Sequence, residues 1–311
     1  MSHKMNTVFS GDMEQKKYIV TGGAGFIGSH IVDALIARGD SVVVIDDLSS
    51  GNIENINKKA VFHRVDIRDV DALRKVFDQS VQGIFHCAAI VSVQYSIEHP
   101  EETEMINVEG TRNVLKVASE KGVIRVIFCS SAAVYGETTE TAVNESVKAN
   151  PQSPYGKDKL EGEIECIRYA KDTNLETVIL RYFNVFGTRQ RGDSSYAGVI
   201  ARFIELRNES KPLTIFGDGS QTRDFVNVKD VVSANLKAMD TSSISGEVIN
   251  IGSGKATSVK EIAKIISSTV LFAPARKEVK NSLADITKAK STLHWSPIVS
   301  LKEGIGDLLV L

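Results

Sequence analysis

From Lys17 to about Leu180, short apolar runs alternate with stretches of helical spacing. The runs are YIVTG (18–22), SVVVID (41–46), AVFHRVD (60–66), GIFHCAA (83–89), VIRVIFCSS (123–131) and ETVILRY (176–182). Between most of them apolar residues recur at helical intervals, as in Ile27, Ile31 and Leu35, or Val108, Leu115 and Val117. Strands that are apolar throughout, rather than at alternate positions, are buried on both faces. The pattern therefore predicts an α/β fold, a doubly wound parallel sheet with helices on each side. In such a sheet the ligand lies at the carboxyl ends of the strands.

Past Arg181 the rhythm changes. Loops lengthen, as in GTRQRGDSSYAG (187–198) and FGDGSQTRDF (216–225), and apolar runs become short and scattered. The expected division is a disordered leader over 1–16, a nucleotide-binding domain over 17–182, and a smaller lobe over 183–311. That C-terminal lobe would be mainly substrate-binding, with some segments returning to the main sheet.

Composition narrows the function. A formal net charge of −2 gives no global field to draw the chain to nucleic acid or an anionic membrane. No run of 18 apolar residues exists, so a transmembrane helix is not expected. Met1 to Lys16 lacks the apolar stretch of a signal peptide. Cys87, Cys129 and Cys166 lack metal-ligand spacing. Two of them sit in strand-like runs, where cysteine packs as a small hydrophobe. No metal is expected, and a reducing cytoplasm fits.

The first run leads into Gly22-Gly23-Ala24-Gly25-Phe26-Ile27-Gly28 and then a helical stretch. Glycines at 22, 25 and 28 permit a tight turn and let backbone N–H groups approach a pyrophosphate at a helix N-terminus. Asp46 closes the second run, eighteen residues beyond Gly28. A carboxylate there bonds the adenine ribose hydroxyls and repels a 2′-phosphate, so NAD is expected rather than NADP. The 17–182 domain thus reads as a Rossmann domain.

Ser153-Pro154-Tyr155-Gly156-Lys157-Asp158-Lys159 has a cap and a first-turn proline, so it begins a helix. Tyr155 and Lys159, four residues apart, share a helix face at a separation of about 6 Å along the axis. A phenol of ordinary pKa ~10 is a poor base, and a nearby ammonium plus an oxidised nicotinamide would favour the phenolate. Lowering that pKa to roughly 7 takes about 4 kcal/mol. Ser131, at the end of VIRVIFCSS, could relay a proton to Tyr155.

Taken together, TGGAGFIG, IDDLSSGN, the acid in RVDIRD, HCAA, SSAAVYGE, PYGKDKLEGE, RYFNVFG and FGDGSQTRDFVNVKD resemble the extended short-chain dehydrogenase/reductases. Within them the sequence looks most like the UDP-glucose and UDP-N-acetylglucosamine 4-epimerases. The resemblance implies an isomerase that uses NAD on a UDP-sugar, and a homodimer joined by helices near 101–121 and 154–172. It implies that Phe26, Ile27, Ala88 and Ala89 join the glycines at the cofactor. Asp66 and Ile67 would meet the adenine, and Asn107 would support the site. Ser131 and Tyr155 would act on the sugar, with Lys159 on the nicotinamide ribose. Asn184, Arg223 and Arg276 would hold the diphosphate, with Val199, Phe216, Glu278 and Ser282 completing the substrate site. Related 4,6-dehydratases carry an Asp-Glu pair just before V-Y-G, and decarboxylases a Glu, where this chain has Ala132-Ala133. Ser282 falls where some epimerases have tyrosine, which leaves room for a 2-acetamido group. The competing readings are a nucleotide-sugar reductase or 4,6-dehydratase on the same fold, and a non-catalytic NAD-binding sensor.

Overall fold

The computed structural model of the chain describes residues 15–310, apart from 139, 193–197, 268 and 276–278. Six strands follow the six apolar runs: β1 Lys17–Thr21, β2 Ser41–Asp46, β3 Val61–Arg64, β4 Val81–His86, β5 Arg125–Ser131 and β6 Glu176–Tyr182. The run at 83–89 yields strand only to His86, because the chain turns there into the loop that borders the site. Later come β7 Asn184–Phe186, β8 Leu213–Phe216, β9 Thr222–Asn227, β10 Glu247–Ile251, β11 Ala256–Ser258 and β12 Val270–Ala273.

The helices of the first half are α1 Phe26–Arg38, α2 Val70–Val76, α3 Val93–Glu98, α4 Pro100–Glu104, α5 Gly110–Glu120 and α6 Pro154–Asp172. Those of the second are α7 Val199–Asn208, α8 Val228–Asp240, α9 Val259–Ile266, α10 Thr287–Leu293 and α11 Leu301–Leu309. Among the described residues no helix is long and apolar enough to cross a membrane.

One seven-stranded sheet runs in the order β10-β6-β5-β4-β1-β2-β3, and every pairing in it is parallel. This is a doubly wound Rossmann sheet. Strand order reverses between β1 and β4, so a crevice opens beyond their carboxyl ends. The pleat sends successive side chains to opposite faces. Val20 and Val44 join Ile31 and Leu35 of α1 and Val231 of α8 on one side, while Ile19 and Ile45 join Leu73, Leu115 and Cys166 on the other. Each fully buried Leu or Ile side chain contributes roughly 1.5–3 kcal/mol.

A third cluster builds the smaller lobe, with Phe186, Phe203, Leu213, Ile215, Phe225, Ile262 and Ile305 as its centre. Two small sheets flank it, β11-β9-β7 and β12-β8. Strand β9 lies parallel to β7, and β7 follows β6 after only Phe183. The lobe therefore begins where the large sheet ends, beside the crevice.

Local chemistry fixes the elements that matter. Helix α1 stops at Gly39, whose φ of +95° lets its N–H reach Ile36 O while Asp40 N–H reaches Leu35 O. Helix α6 starts with the Ser153 hydroxyl accepting from Gly156 N–H at 3.1 Å, and Pro154 fills the first turn. The stretch from Pro100 to Glu120 is helical, but Met105–Glu109 winds as a π turn rather than an α turn. Such turns re-aim a side chain, and here the residue at its centre is Asn107.

Candidate active site

The glycine turn is a cradle that no larger residue could form. Gly22 has φ +69°, and a Cβ there would lie 2.6 Å from the Ala88 backbone nitrogen. At Gly28 a Cβ would lie 2.2 Å from the Gly22 carbonyl oxygen. Gly25 caps α1 without a side chain, and its N–H bonds back to Gly22 O at 3.1 Å. The first N–H groups of α1, including those of Phe26 and Ile27, have no partner within the helix and suit a pyrophosphate. These features fit a dinucleotide.

Asp46 ends β2 and is nearly buried. Its two oxygens accept from Ala24 N–H at 3.0 Å and Leu48 N–H at 2.8 Å. Burial raises its pKa, and these two bonds oppose the shift. Each oxygen retains capacity for a further donor, such as a ribose hydroxyl. Asp66 is engaged by the Arg68 guanidinium, at 2.9 Å from Nε and 2.6 Å from Nη2. Ile67 is 5% exposed and packs its side chain against Gly110. Its side chain thus has a core role.

Beyond β4, Ala88 lies against Gly22, and Ala88 N–H reaches the Thr21 hydroxyl at 3.3 Å. Ala89 and Ile90 continue the loop. Asn107 secures it from the π turn, with Oδ1 accepting from Ile90 N–H at 2.8 Å and Nδ2 donating to Ile90 O at 3.0 Å. Beneath, His86 sits between the hydroxyls of Thr21 (2.7 Å) and Thr111 (2.9 Å). Burial, reinforced by the Lys159 charge, drops its pKa to about 3, so the ring is neutral.

Ser131, Tyr155 and Lys159 meet on the far side of the crevice. Ser131 ends β5, accepts from Ala133 N–H at 3.1 Å, and is hydrogen-bonded to the Tyr155 phenol. The neighbouring Ser130 points the other way, into a buried network with Glu163, which pairs with Arg181. Strand alternation thus assigns one serine to the site and one to the core. Lys159 is 4% exposed, donates to Cys129 O at 2.8 Å, and has Nζ 6.0 Å from the centre of the Tyr155 ring.

The expected phenolate is not what these groups produce by themselves. Burial pushes Tyr155 up to about 12, and the Ser131 hydrogen bond offsets only part of that. Desolvation likewise lowers Lys159. The ammonium donates to a backbone carbonyl, and at neutral pH the buried phenol beside it keeps its proton.

In the smaller lobe, Asn184 is exposed on β7 opposite Phe225 of β9. Val199 opens α7 and Phe216 ends β8, both half-buried. Arg223 donates to Thr222 O at 2.8 Å and to Lys280 O at 3.3 Å. Ser282 N–H bonds Thr222 O at 3.2 Å, which sets it beside the same strand. Asn184, Arg223 and Ser282 are thus gathered around β9. Arg276 and Glu278 lie outside the described residues.

Three supports escaped the sequence reading. Buried Ser96 of α3 accepts from Tyr155 N–H at 3.1 Å while donating to Val93 O at 2.6 Å. It satisfies an orphan donor in the first turn of α6 from 59 residues away. Buried Asp224 accepts from the N–H groups of Ser253, Gly254 and Ala284, which ties the segment holding Ser282 to β9. Asp158, beside Lys159, is pushed up to about 6 by burial and by Glu104, against a hydrogen bond from Asn107. The partners that matter, Tyr155 for Ser96, Ser253, Gly254 and Ala284 for Asp224, and Glu104 and Asn107 for Asp158, are all remote in sequence.

Comparison with known proteins agrees with this geometry. The profile of the NAD dependent epimerase/dehydratase family matches residues 18–252. A Methanocaldococcus jannaschii protein provisionally named a UDP-glucose 4-epimerase is 44% identical over 92% of this chain and 95% of its own. A UDP-N-acetyl-alpha-D-glucosaminuronate decarboxylase of Bacillus cytotoxicus is 34% identical over 95% of this chain and 97% of its own. The crystal structure of the Thermotoga maritima UDP-glucose 4-epimerase with UDP-glucose superposes with a TM-score of 0.91 at 39% identity, covering 94% of this chain and 97% of that one.

Proposed function

The chain belongs to the NAD dependent epimerase/dehydratase family, and from that premise we propose that it inverts C4 of a UDP-sugar through a transient 4-keto sugar. The observation that carries this reading is the hydrogen-bonded Ser131–Tyr155 pair above Lys159, next to a turn that fits NAD.

The turn from Gly22 to Gly28 holds the pyrophosphate, and Asp46 holds the adenine ribose. Bound NAD supplies the hydride acceptor at C4 and, on return, the donor. Tyr155 takes the C4 hydroxyl proton, with Ser131 in reach to pass it. The phenol must fall well below its ligand-free value to do so, and Lys159 is the chain's own nearby cation. Asn184 and Arg223 anchor the diphosphate, where a guanidinium gives strong, directed bonds. The keto sugar, held more loosely, turns its other face to the site, and Tyr155 returns the proton.

Loss of water across C5–C6 needs a further acid and base near C5, and the related decarboxylases carry a Glu at the corresponding place. The turn after Ser131 offers only Ala132 and Ala133 there. This favours epimerisation over the chemistry of the decarboxylase relatives. The test is to incubate purified protein, without added cofactor, with UDP-glucose, UDP-N-acetylglucosamine and UDP-glucuronate, and to follow C4 by NMR. Inversion supports the reading, whereas carbon dioxide release or a 4-keto-6-deoxy product overturns it. The small Ser282 further supports acceptance of 2-acetamido sugars. Ser282→Tyr should then lower the activity ratio of UDP-N-acetylglucosamine to UDP-glucose.

The proposal extends to a homodimer. Val93, Ile97, Met105, Ile164 and Ile167 lie on α3, the 100–120 helical stretch and α6, each at least 42% exposed. An apolar patch of that kind on packed helices suits a second copy. Light scattering after gel filtration tests it, and a monomer at micromolar concentration refutes it.

A further inference from the structure

Two cysteines meet at the floor of the crevice, and the proposed mechanism uses neither. Cys87 follows the last residue of β4, Cys129 lies in β5, and these strands pair with His86 opposite Phe128. The next residues along are therefore neighbours. Their sulfurs are 3.2 Å apart.

Adjacent strands lie about 4.8 Å apart, inside the roughly 4.4–6.8 Å window of Cα separations that a disulfide spans. Only the sulfurs must move, by about 1.2 Å, to reach the ~2.05 Å bond. Cys129 has further neighbours that favour reaction. Tyr182 Oη lies 3.2 Å from its sulfur, and its own carbonyl holds the Lys159 ammonium. Burial works against its thiolate, yet the Cys87 and Tyr182 hydrogen bonds and the Lys159 charge bring it net below the ordinary thiol value. Cys87 is only half-buried, but its thiol is pushed well up by the Cys129 hydrogen bond and by burial, so Cys129 is the sulfur readier to ionise. Cys166 is fully buried, and burial pushes its thiol well up too.

We infer that Cys87 and Cys129 form an oxidisable dithiol that closes to a disulfide when a hydroperoxide reaches a crevice free of NAD. One sulfur attacks the peroxide O–O bond and becomes a sulfenic acid, releasing water or an alcohol. The second sulfur then displaces water from it. Two S–H bonds break, one S–S bond forms, and the two electrons reduce the peroxide.

Position ties this pair to the cofactor. Cys87 N–H bonds Thr21 O at 3.0 Å, and the next residue, Ala88, lies against Gly22 of the dinucleotide turn. Occupancy of that turn pins the backbone beside Cys87 and screens its sulfur. Only this protection rests on the proposed NAD site; closure of the pair does not.

The experiment treats reduced, dinucleotide-stripped protein with hydrogen peroxide, then counts thiols after denaturation and maps linked peptides by mass spectrometry. The expected result is a fall from three thiols to one, a crosslink joining the Cys87 and Cys129 peptides, and reversal by dithiothreitol. NAD at a hundred times its Kd should slow thiol loss about 100-fold, in proportion to the ligand-free fraction. Cys87→Ser should yield no crosslink. Persistence of three thiols, or oxidation of single cysteines without a crosslink, overturns the dithiol. Crosslinking at an undiminished rate with NAD bound, shown by dialysis, overturns the coupling and leaves the epimerase assay to judge the function.

Discussion

Replacing Gly28 by alanine should damage cofactor binding far more than the loss of one hydrogen atom suggests. The new Cβ would stand 2.2 Å from Gly22 O, 2.9 Å from Gly22 C and 3.0 Å from Gly23 Cα, all backbone atoms. Ordinary contact begins near 3.4 Å, so the start of α1 and the turn must part by about 1.2 Å. Backbone cannot rotate aside as a side chain does. Overpacking of this kind costs about 1–3 kcal/mol of stability. The larger effect is on the N–H groups facing the pyrophosphate, where each charge-assisted bond is worth about 1.5–3 kcal/mol. Losing one or two weakens NAD by roughly 10²-fold. Gly39→Ala is the matched control. It carries a strained φ of +95°, costing about 1–2 kcal/mol, but its Cβ would meet nothing within 4 Å. Calorimetric titration of stripped protein with NAD, beside thermal unfolding, separates the two effects. If Gly28→Ala bound NAD like the wild type, or Gly39→Ala weakened it equally, the cradle argument would fail.

Tyr155→Phe should lower turnover by about 10²–10⁴-fold while NAD binding, measured by titration, stays near wild type. Ser96→Ala leaves Tyr155 N–H without its partner, and the expected cost is about 1–3 kcal/mol in unfolding free energy with a fall in kcat. An unchanged kcat would reduce Ser96 to a packing role. Asp158 is the pH-sensitive group: its folded pKa of about 6 lies above the ordinary carboxyl value, so the folded state prefers the protonated form. The corresponding stability is complete below that ordinary value and is lost as pH rises through about 6. Asp158→Asn should therefore gain about 1 kcal/mol at pH ~8, after allowance for partial solvent screening, and little at pH ~4. Denaturant titration at both pH values checks the sign, and an equal effect at each would contradict it.

Much of the large sheet could be read from the chain because its six apolar runs are continuous and its first turn is crowded with glycine. Both patterns are local and have one physical cause each: burial on two faces, and close backbone approach. Long-range partners leave no such trace. Nothing in EVINI says that β10 pairs with β6, since any short apolar run looks alike. Ser96 reads as an ordinary helix serine, and Asp224 as a loop acid, until the fold brings three N–H groups to its carboxylate. The cysteines were readable as packing residues, and two of them are fully buried, but the Cys87–Cys129 contact depends on strand order. The Tyr155–Lys159 spacing was legible, whereas its electrostatics was not. Spacing gives proximity along a helix, but desolvation decides the charge state of both groups.

The paired serines that close β5 carry a consequence for how this chain can vary. Ser130 serves an ionic core and Ser131 serves the crevice only because they occupy successive positions of opposite facing. Gaining or losing one residue anywhere in β5 ahead of them would swap the two assignments, stranding Glu163 and Arg181 while emptying the place beside the phenol. The length of this strand is therefore constrained more tightly than the identity of most of its members, and indels there should be lethal to activity where point changes are survivable.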